Sequence, residues 1–258
     1  MLDIDILNPS EIDRATNIFH RDGFVAVKDT MTPEQFALLK VGCDRIIQKQ
    51  TDADPERKGN RGSFRYSFGN QIMHQEWQTL IELPSVLAIL DKIWSSKSYI
   101  CIGGGGDYSL PGAEIQPLHK DMGDFFQDPH GTVTFHDPIA PFIVVNVLMV
   151  DFTKENGAIR FVPCTQRSRH PIPSVADEPR WMKDSIVCAP AGTAIIRDVR
   201  CWHAGTANNS KMIRPMTSIA YTAPWFWMGG FDRGLPKADY QRLTPRGKDL
   251  CRFIVNQD

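Results

Sequence analysis

The chain lacks the cysteine pattern of a stapled or metal-clipped fold. Its six cysteines (Cys43, Cys101, Cys164, Cys188, Cys201 and Cys251) are scattered and none forms a CxxC. Neither a zinc ribbon nor a disulfide framework is suggested, and most of the thiols are expected to be small apolar core groups in a reducing compartment. It also lacks an excess of either charge: 29 Lys and Arg against 30 Asp and Glu leave a formal net charge of −1. That balance supplies no general field for nucleic acid or an anionic membrane, so neither is expected as a partner. Long hydrophobic runs are missing too. The stretch 142–150 is far too short to span a bilayer and is interrupted by Asn146. The first residues show no basic stretch followed by an apolar run, so a cytoplasmic location is expected.

What is present is a chain of 258 residues, 42% hydrophobic, long enough to bury a substantial core. Its first fifty residues read as two helices around a strand. Ser10 with Asp13 suggests a capping box and Gly23 a helix end, followed by the alternating Phe24-Val25-Ala26-Val27-Lys28. Thr32-Pro33-Glu34-Gln35 is a strong helix start, and Phe36, Leu39, Cys43, Ile46 and Ile47 follow at helical spacing. Residues 51–63 are charged and contain glycine, which predicts a mobile loop; 83–94 predicts another helix.

Beyond residue 97 the texture changes. Short β-branched or apolar segments recur at 98–102, 113–119, 142–151, 158–162, 185–188, 193–197 and 216–222, without long amphipathic helices between them. This pattern predicts an antiparallel sandwich or barrel rather than a parallel sheet. One domain is expected: a β core from about 98 to 225, helical support over 10–97, and a C-terminal helix near 244–255.

Seven histidines are available, and the informative one lies in His119-Lys120-Asp121. On a strand, residues i and i+2 share a face, so His119 and Asp121 project together as two adjacent ligands for a divalent cation. A third ligand from a neighbouring strand would complete the two-histidine, one-carboxylate face that suits non-haem Fe(II) and leaves coordination positions open. His203 follows a β-type segment 84 residues later, and Arg214 lies 11 residues beyond it. A metal face beside a fixed guanidinium is what a dicarboxylate co-substrate requires.

These motifs resemble those of the phytanoyl-CoA dioxygenase (PhyH-like) family of Fe(II)/2-oxoglutarate-dependent oxygenases. The resemblance rests on the His119-Lys120-Asp121 tripeptide, the distal His203 and the following Arg214. It also rests on the segment from Asn146 through Asn156-Gly157 to Pro163, and on His20-Arg21-Asp22-Gly23-Phe24-Val25 after the first helix. One departure is Cys164-Thr165-Gln166-Arg167, where members usually read GSH. The resemblance implies a double-stranded β-helix (jelly-roll, cupin-like) core with flanking helices. It implies Fe(II) held by His119, Asp121 and His203, and 2-oxoglutarate held by Arg214 with Gln116, Asn146 and Thr206 nearby. Relatives often carry a hydroxyl two residues after the distal histidine, where this chain has Gly205 with Thr206 one step on. The retained Asp121 disfavours halogenation. The implied chemistry consumes O2, releases succinate and CO2, and oxidises an unactivated C–H bond of a small molecule. Hydroxylation, desaturation or cyclisation would be the outcome, commonly in natural-product tailoring.

Other features have plainer readings. Arg61, Arg65 and Tyr66 are candidate substrate contacts, and the same stretch equally fits a loop whose aromatics pack on the sandwich. His136-Asp137, followed by Pro138, reads as loop or pocket wall; His130 and His170 read as solvated. Gly103 to Gly106 lack the features of a phosphate loop and predict a tight turn or a pocket edge. Trp225-Phe226-Trp227-Met228 reads as core or an oligomer contact. A cupin-type metal enzyme working without 2-oxoglutarate, and a small-molecule binding protein without catalysis, are the alternatives.

Overall fold

The computed structural model describes residues 1–124, 128–227 and 234–256. Nine strands and seven helices are assigned within them. The N-terminal part comprises β1 (Ile6–Leu7), α1 (Ile12–Asp22), β2 (Phe24–Val27), α2 (Pro33–Ala53), β3 (Arg65–Ser67), α3 (Gln75–Gln78) and α4 (Pro84–Ile93). Then come β4 (Ile100–Ser109), β5 (Phe142–Leu148), β6 (Ile159–Phe161), α5 (Arg180–Lys183), β7 (Ala194–Asp198), β8 (His203–Gly205), β9 (Arg214–Thr222), α6 (Lys237–Arg242) and α7 (Pro245–Cys251).

The larger sheet has the order β1-β2-β7-β5-β9-β4-β3, antiparallel except for the β1–β2 pair. Strand alternation divides its two faces. Ile143, Val145 and Val147 of β5, Ala194 and Ile196 of β7, and Ile219 and Tyr221 of β9 pack into the main core with residues of α1, α2 and α4. The alternate residues of the same strands, Asn146, Arg197, Arg214 and Ser218 among them, therefore point to the other face, where they line a cavity.

A second, smaller sheet covers that other face. β6 pairs with β8, and flanking segments continue the pairing on both sides. Gln116 N–H donates to Gly205 O at 2.9 Å, and His119 and His203 exchange backbone hydrogen bonds at 3.0 Å. On the far side, Phe161 N–H reaches Ser185 O and Val187 N–H reaches Ile159 O. Two facing sheets, with the polar cavity between them and helices outside the larger one, form the jelly-roll arrangement. Among the described residues no helix is long and apolar enough to cross a membrane.

Several local expectations hold for the reasons given. Gly23, at φ 85°, ends α1 with its N–H on Phe19 O. Thr32 and Gln35 form the reciprocal capping box of α2. Others need correction. Ser10 does not cap α1: Glu11 stands at the N-cap without a side-chain cap, and its carboxylate turns back to Asn8 N–H at 2.8 Å. Helix α2 runs on to Ala53, and the loop after it is tied down. The Asp54 carboxylate accepts from Gly59 N–H at 2.8 Å and from Tyr66 Oη at 2.7 Å.

Gly103 to Gly106 form no turn but the middle of β4, paired with Ala220 to Thr217 of β9, and Gly106 lies at the edge of the cavity. Their lack of side chains lets other backbone come close. A Cβ on Gly105 would lie 2.3 Å from Gly69 O, and one on Gly106, at φ +126°, 2.1 Å from Met216 O. The 113–119 and 185–188 segments are extended and hydrogen-bonded at intervals rather than continuous strands, and in the first Pro117 has no N–H to donate. Cys43, Cys101, Cys201 and Cys251 are buried, and all six cysteines are free. Trp225 and Trp227 are exposed rather than core, although Phe226 packs inward; Met228 lies outside the described residues.

Candidate metal centre and its cavity

His203 heads β8, His119 pairs with it across the small sheet, and Asp121 follows two residues on, its N–H bound to Val199 O. One ligand atom from each of the three lies within 4.8 Å of the others. Asp121 Oδ1 is 3.5 Å from His203 Nε2 and 3.9 Å from His119 Nε2, and the two rings sit 4.4 Å apart. Each imidazole is turned the same way. His119 Nδ1 meets Pro117 O at 3.1 Å and His203 Nδ1 meets Cys201 O at 3.0 Å. A carbonyl can only accept, so the proton of the neutral ring sits on Nδ1 and the Nε2 lone pair faces the carboxylate.

The electrostatics suit a cation. Burial pushes the His203 pKa down, assisted by the nearby Arg197, so the ring is neutral and able to coordinate. Burial by itself would raise the Asp121 pKa. The Arg197 guanidinium, 2.7 Å from Oδ2, is the largest of the influences that outweigh it and hold the carboxyl well below the ordinary range, fully ionised. Two imidazoles with Nε2 turned inward and one carboxylate on one side of a cavity form a facial donor set of the kind that binds Fe(II) and leaves open positions.

The cavity has a volume of about 410 Å³. Arg214, at the start of β9, lines it and is only 3% exposed, its guanidinium stacked over the Phe152 ring at 5.0 Å. Its Nε and Nη1 have no hydrogen-bond partner, and burial, with Arg65 nearby, pushes its pKa down to about 10. A charged fork buried without an acceptor is incomplete; an anionic oxygen pair would complete it.

The remaining sequence-derived candidates distribute as follows. Gln116 and Asn146 line the cavity; Gln116 Oε1 accepts from Gly205 N–H at 3.1 Å and Asn146 Oδ1 from Arg197 Nε at 3.0 Å. Thr206 is outside the lining, with its hydroxyl donated to Ala158 O at 2.7 Å. Gly205 explains the displaced hydroxyl. A Cβ there would lie 2.5 Å from Arg65 Nη1 and 2.8 Å from Gln116 Oε1, so Arg65 fills the space a side chain would take. Arg65 is itself buried, donating to Glu114 O and Thr206 O. Tyr66 stacks on Tyr108 and gives its hydroxyl to Asp54. Arg61 stands largely exposed at the cavity wall, 3.9 Å from Asp107. His136 is buried, its Nε2 3.0 Å from Asp124 Oδ1, and does not join the centre.

Sequence reading passed over Arg197, Asp107 and Ser218, all in the cavity wall. Charged or polar residues at the alternate positions of otherwise apolar strands were the available signal. It also passed over Arg160 and Glu178, a fully buried ion pair whose Arg160 Nη2 supports Gln116 O at 3.0 Å.

A jelly roll with a histidine–aspartate–histidine face and a buried arginine between its sheets defines the class of non-haem iron, 2-oxoglutarate-dependent dioxygenases. The family model described as phytanoyl-CoA dioxygenase (PhyH) matches residues 19–216, and the chain belongs to that family. It is 22% identical over 238 residues to an uncharacterized protein, Rv1501, of Mycobacterium tuberculosis, covering 88% of this chain and 81% of that one. It is also 22% identical over 253 residues to the dioxygenase trt7 of Aspergillus terreus, covering 92% and 82%. Among solved structures, the epimerase SnoN in complex with Fe3+, alpha ketoglutarate and nogalamycin RO superposes with a TM-score of 0.61 at 19% identity, covering 83% of this chain and 84% of that one.

Proposed function

We propose that this protein oxidises an unactivated C–H bond of a small molecule, by hydroxylation, desaturation or oxidative cyclisation, in the tailoring of a natural product. The observation that carries the reading is a single cavity. It holds two imidazoles with Nε2 turned inward, one ionised carboxylate, and a buried guanidinium with two unpartnered nitrogens. His119, Asp121 and His203 would hold Fe(II), and Arg214 the distal carboxylate of 2-oxoglutarate. Bound together, the metal and the co-substrate supply the oxidising power, consuming O2 and releasing succinate and CO2.

The chain's own groups do the rest. Asp121 occupies the position a halide would need, so oxygenation rather than halogenation is expected. Gln116 and Asn146 border the co-substrate's place. Arg61, Ser67, Asp107 and Ser218 offer a polar wall to the substrate, with Arg65 and Tyr66 shaping it from behind through their backbone and aromatic contacts. A polar molecule able to form several hydrogen bonds fits such a wall. The relatives agree in kind: trt7 is named a dioxygenase, and SnoN is described as an alpha ketoglutarate-dependent epimerase of nogalamycin biosynthesis.

The test is substrate-triggered succinate formation. Purified protein with Fe(II), 2-oxoglutarate and O2 is screened against polar natural products, glycosides and alkaloids, with His119→Ala as the control. Succinate rising above the uncoupled background with one compound, and lost in the variant, supports the reading. Turnover that persists without 2-oxoglutarate refutes it.

A further inference from the structure

Arg197 holds a position that iron ligation by three side chains does not require. It projects from β7 into the cavity, opposite Val144 of β5, and is more than nine-tenths buried. Two of its three nitrogens are used. Nη2 lies 2.7 Å from Asp121 Oδ2, and Nε donates to Asn146 Oδ1 at 3.0 Å. The third, Nη1, is buried and has no partner.

The first contact orders the ligand. With Oδ2 held by the guanidinium, Asp121 presents Oδ1 to the histidines and would meet a cation through that one oxygen. If support of Asp121 were the whole role, a buried donor left idle in the cavity wall would be a standing cost. The idle Nη1 belongs to the same rigid guanidinium whose Nη2 touches the candidate ligand Asp121, in the wall of the same cavity. Arg214 enters from the opposite end: it precedes Met216, which faces Leu148, whereas Arg197 faces Val144 on the same strand. A cavity with a guanidinium at each end and a cation site at one of them matches a dicarboxylate lying lengthwise.

We propose that Arg197 is a second anchor of the co-substrate: its Nη1 takes an oxygen of the carboxylate nearest the metal, while its Nη2 keeps Asp121 monodentate. This rests on the reading of the site as a 2-oxoglutarate centre. Arg197 thereby couples the orientation of the ligand carboxylate to the presence of the co-substrate, since one rigid fork touches both.

The experiment compares two oxoacids on the full chain under anaerobic conditions at saturating Fe(II). The probes are 2-oxoglutarate and 2-oxopentanoate, which keeps the oxoacid end and has a methyl group in place of the distal carboxylate. Binding is read from the visible charge-transfer band and by calorimetry. Arg197→Leu is expected to weaken both oxoacids by a similar factor of tenfold or more, whereas Arg214→Leu weakens 2-oxoglutarate alone. Arg197→Lys, which keeps the charge but not the fork, should fall between. A residue that only positioned Asp121 would be replaced by lysine, which keeps the ion pair; Arg197→Lys binding both oxoacids as tightly as the wild type, or Arg197→Leu leaving both dissociation constants unchanged at saturating Fe(II), overturns the proposal. Should Arg197→Leu fail to fold, the Arg197→Lys and Arg197→Gln variants carry the same comparison. A wild-type protein that shows no band with 2-oxoglutarate instead sinks the 2-oxoglutarate reading itself, so the two failures are told apart.

Discussion

Replacing Arg214 with methionine should make the ligand-free protein more stable while weakening its binding of 2-oxoglutarate. The side chain is 3% exposed, and two of its nitrogens lack acceptors. Burial drives its pKa down to about 10, which corresponds to a penalty on the charged form of roughly 3 kcal/mol. Against this stands the contact with Phe152, 5.0 Å from the guanidinium carbon, contributing about 1–2 kcal/mol. Methionine refills the space of the aliphatic stem and needs no acceptor. The net effect is a gain of about 1–2 kcal/mol, or about 2–4 °C in Tm for each kcal/mol in a protein of this size. With metal and 2-oxoglutarate present the order reverses. The wild-type chain gains about 2.7 kcal/mol at a ligand concentration one hundred times its Kd, and the variant, left with the metal-end contacts, gains much less from the oxoacid. Thermal unfolding followed by circular dichroism, with and without Ni(II) and 2-oxoglutarate, reads both parts. An Arg214→Met protein that melts below the wild type without ligands, or that shows the wild-type shift with them, would refute the account of Arg214 as a fork held without its partner.

Three further outcomes follow from named contacts. Glu178→Ala leaves Arg160 charged and unpaired in full burial, and should cost about 3–5 kcal/mol in urea unfolding, whereas Arg160→Met with Glu178→Leu should recover most of it. If the single and double variants are equally unstable, the pair is not the source of the loss. Gly106→Ala places a Cβ 2.1 Å from Met216 O at φ +126°, and a loss of at least about 3 kcal/mol, or of soluble protein, is expected; near-wild-type stability would contradict the close approach of β4 and β9. Cys164 stands at φ +65°, at the first position of the segment where relatives usually read GSH, so Cys164→Gly should stabilise by about 0.5–1 kcal/mol. An unchanged urea midpoint would show that the backbone there carries no strain.

Much of the fold could be read locally because the signals are local. A capping box depends on four consecutive residues, a left-handed helix end on one glycine, and a buried strand on a short β-branched and apolar run. Thr32, Gly23 and β5 were therefore legible. The glycine run misled for the opposite reason. Glycine has little strand preference of its own, and β4 exists because β9 pairs with it and neighbouring backbone needs the space. Ser10 misled because a hydroxyl three residues before an acid is a frequent coincidence, and the capping geometry was settled by Glu11 reaching Asn8.

Strand period by itself indicated that His119 and Asp121 project together, the resemblance to a family added His203 and Arg214 as their companions, and the structure brings all four to one cavity. Only the tertiary structure decided which nitrogen of each ring faces inward, that Thr206 turns away to Ala158, and that Arg65 fills the space above Gly205. It likewise decided that Arg197, 76 residues along the chain from Asp121, supports that carboxylate. The physical reason is that hydrogen-bond direction and ion pairing act over about 3 Å, and no pattern along the chain states which distant segments the packing of two sheets will bring that close.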